Sequence, residues 1–115
     1  MTIPAEEIRL SERAESALSV LERSTTGESQ AIAKRVRGLK PILLADCLHG
    51  EVVRKSAIPA RLLERYEVEN LYVEDLPAFW RLLYSVVKLE NRRVIVVLEI
   101  VDHRLYSRWF PGGKR

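Results

Sequence analysis

Cysteine is nearly absent from this chain. The single Cys47 leaves no internal disulfide framework. Sitting in the apolar stretch LADCLHG, it reads as a buried structural thiol rather than a nucleophile. Histidine is almost as scarce: His49 and His103 are far apart and, with one cysteine, form no spaced ligand set, so no metal site is expected. Long hydrophobic runs are missing as well. No apolar stretch reaches the roughly 18 residues of a membrane span, and the opening MTIPAEEIRL has no apolar signal core. A cytoplasmic protein without membrane contact is the expectation. Internal repeats and low-complexity tracts are lacking too.

What is present fits one ordinary globular domain covering residues 1–115, with 47% hydrophobic and 30% charged residues. The net charge of +3 is unevenly placed. Residues 1–50 balance seven basic against seven acidic side chains, and residues 51–80 carry four basic and six acidic. Residues 81–115 carry eight basic and three acidic. Clustered cations point to an anionic partner, the alternative being an ordinary solvated face.

The front half has helical periodicity. Glu6 to Leu10 can form a short strand, after which Ser11 is a natural N-cap with Glu12 in the first turn. Ala14, Ala17, Leu18 and Leu21 recur at helical spacing up to Arg23, and STTGES is loop chemistry. A second helix from about Ser29 sets Ile32, Ala33, Val36 and Leu39 on one side. Two helices joined so briefly should pack as an antiparallel hairpin. Pro41 should kink or end the second, with helical pattern continuing to Leu48 and a stop at Gly50. His49 fits interaction with a helix dipole. Pro59 suits the start of a short helix over Ala60–Tyr66, preceded by a loop or brief strand.

From Asn70 the period changes to two. Leu71 and Val73 alternate with Tyr72 and Glu74 until Pro77; Phe79–Leu89 sets Trp80, Leu82, Tyr84 and Val86 against Arg81, Leu83, Ser85 and Val87. Glu90 and Asn91 make a turn into Arg93–Val101, whose VIVVLEIV is apolar on both faces and so predicts a central strand. The fold class is therefore α+β, an N-terminal helical hairpin packed on a small antiparallel sheet.

Three segments in this order, EIRLSERAESAL, NLYVEDLPAFWRLLYSV and VVLEIVDHRLYSRWF, resemble the RelE/ParE toxin superfamily over essentially the whole chain. Gly50–Glu69 looks like an insertion relative to compact members. The resemblance implies a toxin of a toxin–antitoxin pair, a RelE-like endoribonuclease cutting mRNA on the ribosome, inhibiting translation and restrained by an antitoxin protein. It calls for no metal or other cofactor. The alternative within the same fold is a non-catalytic member: a ParE-type gyrase inhibitor, or an inactive relative binding nucleic acid or protein.

Such cleavage needs a base for the 2′-hydroxyl, cations for the developing phosphorane charge and a proton for the leaving oxygen. Arg81 matches the family's strand arginine and is the cation; otherwise it is an exposed sheet arginine in a salt bridge. His103 is a candidate base beside Asp102, or a hydrogen-bonded strand-end residue. Tyr106 matches the tail aromatic that stacks on a base or supplies a proton, or else it packs with Trp109 and Phe110. Arg104 and Arg108, four apart, can clasp a phosphate from one helix face. The strand LYVEDL departs from the family by placing Tyr72, Glu74 and Asp75 where ribonuclease members often have lysines. Glu74 is then either a substitute base or a salt-bridge partner of Arg81.

Overall fold

A computed structural model describes residues Met1–Gly113 and Arg115. Strand β1 (Glu7–Leu10) leads into α1 (Glu12–Arg23) and α2 (Gly27–Ala45), then β2 (Glu51–Val52), α3 (Ala60–Tyr66), β3 (Tyr72–Asp75), β4 (Arg81–Leu89), β5 (Arg92–Val101) and α4 (His103–Trp109). The five strands form one sheet in the order β1-β5-β4-β3-β2. β2, β3, β4 and β5 pair antiparallel, but β1 runs parallel to β5. The sheet is therefore mixed, which corrects the antiparallel expectation. Alternation shows which residues share a face, but strand direction depends on where the hairpin returns the chain.

The helix ends follow local chemistry. Ser11 caps α1 by accepting from the Ala14 N–H, and its hydroxyl donates 2.6 Å to the Leu98 carbonyl, tying the helix start to β5. Thr26 caps α2 through the Ser29 N–H. Pro41 neither ends this helix nor starts another: α2 runs through it to Ala45 and stops at Asp46. Pro41 and Arg37, whose carbonyl loses its partner there, lie on the exposed side of the helix, where water can satisfy it.

The sheet is covered on both faces. On one, Leu82, Tyr84, Ile95 and Val97 pack with Ala14, Leu21, Ile32, Leu39 and Leu43 of the hairpin. On the other, Leu83, Val73, Leu98 and Val101 pack with Leu62 of α3 and with Tyr106 and Phe110 at the chain's end. The segment that reads as an insertion, Gly50–Glu69, thus supplies β2 at one edge and α3 on the second face. A register shift opposite Leu83 and Tyr84 places Leu98 and Glu99 differently from a regular ladder. β5 lies between β1 and β4, the interior position its two-sided hydrophobicity predicts. Among the described residues no helix is long and apolar enough to cross a membrane.

Candidate functional site

The alternation of β4 puts Arg81 on the face opposite the hairpin, where α4 crosses the sheet. Its Nε lies 2.9 Å from Asp75 Oδ1, its direct cross-strand neighbour, and its side chain is 14% exposed. No aligned N–H···O bond joins the two, so the contact is an ion pair rather than a fork-type bond. The Arg81 guanidinium carbon lies 4.8 Å from the centre of the Tyr106 ring. The Arg115 guanidinium is 5.4 Å from the same ring, pairs with Glu51 and reaches 3.6 Å from Asp75. The Tyr106 ring also stacks on Phe110, centroids 4.8 Å apart. Two guanidinium groups, one aromatic ring and two carboxylates therefore make a compact cluster between β4, α4 and the β2 edge.

Tyr106 is buried, and its hydroxyl has no hydrogen-bond partner among the described residues. Burial pushes its phenol above the ordinary value, while Arg115 and Arg81 pull it back. The ring serves as a packed platform for cations and is not free to stack on a nucleobase. The ring packs on Phe110, as the alternative reading of the tail aromatic expected.

His103 opens α4 and is exposed. Asp102 does not orient it, because the Asp102 carboxylate caps α4 by accepting from the Leu105 N–H at 2.9 Å. The imidazole instead lies 3.4 Å from Ser107 Oγ through Nε2, one helical turn on, with the Phe79 ring 5.8 Å from its centre. Phe79 is 69% exposed and, like Ala78, adopts a left-handed backbone conformation (φ 63° and 58°). Non-glycine residues adopt it only at a cost, and two in a row beside Arg81 mark the β3–β4 turn as a strained, surface-presenting loop.

Glu74 does not join this cluster. It lies on the hairpin side of β3, buried, with its Oε2 2.6 Å from His49 Nδ1. The expected Glu74–Arg81 bridge is therefore absent: successive residues on a strand point to opposite faces, so Asp75 meets Arg81 and Glu74 cannot. His49 is likewise a carboxylate partner rather than a free helix-end charge. Nearby, the Tyr84 hydroxyl donates to the Cys47 carbonyl and accepts from the Gly50 N–H, both at 2.9 Å. A side chain at Gly50 would meet the Tyr84 ring and hydroxyl at 2.9 Å, so the turn needs glycine for close approach. Cys47 is buried, and desolvation raises its thiol, which suits a structural role.

Arg104 and Arg108 share one side of α4 as their spacing predicts, and both line an open groove of about 730 Å³ against α1. Arg13 lines the same groove, and Arg81 does not. Sequence reading missed Arg13, Arg61, Arg65 and Glu99. The available signal was Glu99 itself, a lone acid in an apolar strand, which must be paired once buried. Among the described residues no group of three or more histidine, cysteine, aspartate or glutamate side chains is arranged to hold a metal. Compared with protein-family models, curated proteins and solved structures, the sequence and fold match none.

Proposed function

We propose that this protein is a RelE-like toxin, a ribosome-dependent endoribonuclease on mRNA that is normally covered by a small antitoxin. The observation that carries the reading is the Arg81 guanidinium stacked on Tyr106 beside Arg115 at the end of the sheet. A cation packed against an aromatic ring and an ion-pair partner is held in place before substrate arrives. It can meet the extra negative charge of a phosphorane without reorganising. In this reading His103, exposed at the start of α4, takes the proton of the 2′-hydroxyl. The 2′-oxygen attacks the adjacent phosphorus, the P–O5′ bond breaks, and the leaving oxygen takes a proton from water, which the protonated His103 then replenishes. The products are a 2′,3′-cyclic phosphate and a 5′-hydroxyl end. Glu74 is not part of this machinery, since it lies on the other face of the sheet.

A second reading, a non-catalytic member that binds gyrase, nucleic acid or protein, is favoured by two observations. Arg81 is already paired with Asp75, and Tyr106 is buried. Purified protein added to ribosomes translating a defined mRNA, with cuts mapped to the nucleotide, separates the two. Codon-spaced cuts that require ribosomes and vanish in Arg81→Ala support the ribonuclease. Intact mRNA with folded, antitoxin-free protein supports the binder.

A further inference from the structure

β1 ends at Leu10 opposite Val97, so the last residues of β5 have no strand on that side. The start of α1 and the two short helices α3 and α4 close around this open edge and leave a groove of about 330 Å³ between them. Its lining is Arg13, Arg61, Arg65, Leu105, Arg108 and Trp109. The larger groove against α1 borders it, sharing Arg13, Leu105 and Arg108.

The cations are held by a buried anion. Glu99, 2% exposed, receives Arg13 Nε at 3.0 Å, Arg65 at 2.8 Å and the Tyr66 hydroxyl at 2.7 Å. Both contacts from Arg13 leave through Nε, so its two terminal amino groups remain for a ligand. Arg61 and Arg108 are exposed and have no carboxylate partner among the described residues. One carboxylate thus positions two guanidinium groups, and two more stand beside them uncompensated. Four guanidinium groups set against the one carboxylate of Glu99 leave this groove net positive and favour an anion.

We propose that this groove binds the phosphodiester backbone of single-stranded RNA, with phosphates on Arg13, Arg61, Arg65 and Arg108 and a base against Trp109. Guanidinium forks match phosphate oxygens, and an interleaved aromatic ring gives a base a stacking surface. An acidic peptide is the poorer fit. Within the smaller groove, among the described residues, the apolar lining is Leu105 and Trp109, too little surface to seat a peptide's hydrophobic side. Glu99 is a positioning residue here, holding the arginines rather than touching RNA. The site lies on the α1 side of α4, apart from the Arg81–Tyr106 cluster, and does not depend on the cleavage reading.

The test is fluorescence anisotropy of a short labelled 2′-O-methyl RNA, which lacks the attacking hydroxyl, with the full chain and no ribosomes. Arg61→Ala and Arg108→Ala should each weaken binding about fivefold at about 0.1 M salt. Each should also lower the slope of log affinity against log salt by about 0.7, the single-strand value per phosphate contact. Arg23→Ala, exposed at the far end of α1, should change neither. Glu99→Gln removes a negative charge yet should weaken binding, because the arginines lose their anchor; tighter binding would overturn its positioning role. Should Glu99→Gln fail to fold, Arg61→Ala and Arg108→Ala decide alone. No RNA binding, equal losses in Arg23→Ala, or preference for a labelled polyglutamate probe at the same arginines would overturn the proposal. Binding that survives in a protein unable to cut ribosome-bound mRNA leaves this groove standing and removes only the ribonuclease.

Discussion

The two faces of the sheet are covered in different ways. The hairpin face meets two long helices whose apolar stripes, from Ala14 to Leu21 and from Ile32 to Leu43, cover it continuously. Its buried charge is Glu74, matched by His49. The opposite face meets two seven-residue helices, α3 and α4, too short to do the same. Tyr66, Tyr106 and the stems of Arg65, Arg81 and Arg115 complete the covering there. Amphipathic side chains bury their stems and keep their charged ends near water. The face that is harder to cover is therefore the one where guanidinium groups gather on aromatic rings.

The sharpest way to break this comparison is to cut the same side chain on each face. Leu82 and Leu83 are adjacent, fully buried and point to opposite sides. Truncating either to alanine should cost about 2–5 kcal/mol in urea unfolding. Only Leu83→Ala should also disturb the Arg81–Tyr106 cluster and hence activity measured below the unfolding range. Equal activity losses would show that the faces are not functionally distinct.

Next in size, Arg81→Ala should reduce ribosome-dependent cleavage by about 10²–10³-fold, the typical loss on removing one charge-stabilising donor. Loss of the ion pair should cost no more than about 1 kcal/mol, because its partner Asp75 is 70% exposed, and loss of the stem's packing against Tyr106 adds to it. A larger stability change with unaltered cleavage would mean that the cluster is only structural.

A pH prediction spans both faces. All four tyrosines, Tyr66, Tyr72, Tyr84 and Tyr106, have their phenols raised, each mainly by burial. The folded state then holds phenolic protons that the unfolded chain releases above about pH 10. Above that pH the folded state binds more protons, so stability falls as pH rises; below it, these groups have no effect. Unfolding curves should stay level up to about pH 10 as far as tyrosine is concerned and decline beyond it. Phenolate absorbance should appear together with unfolding. Phenolate appearing in a still-folded protein would mean the rings are more accessible than their burial implies.

The smallest effect on activity belongs to the hairpin face. His49→Ala should leave cleavage unchanged while costing about 1–3 kcal/mol of stability, because it strips the buried Glu74 carboxylate of its partner. A marked activity loss would move chemistry to the side that Glu74 occupies.

Much of the architecture was legible locally. Ser11 as a cap, the apolar stripe from Ala14 to Leu21, the two faces of Arg81–Leu89 and the interior character of VIVVLEIV all follow from short-range periodicity and side-chain chemistry. The direction of β1 and the continuation of α2 through Pro41 were not legible, because they depend on where the chain returns and on which side of the helix faces water. At the candidate site the residue types were foreseen, but their partners were not. Glu74 and Asp75 look interchangeable in LYVEDL, yet the pleat sends one to His49 and the other to Arg81.

The sequence by itself determined most of the segments that become helix or strand, which side chains need burial, and that cations concentrate toward the end of the chain. Those properties arise from spacing along a few residues. Only the tertiary structure decided which charges meet. Arg13, Arg65 and Glu99 come from three elements, and the ion pairs joining them link residues 86 and 34 positions apart. No local pattern records such a contact; it exists because packing the hairpin and the short helices on one sheet brings those groups within a hydrogen bond of each other.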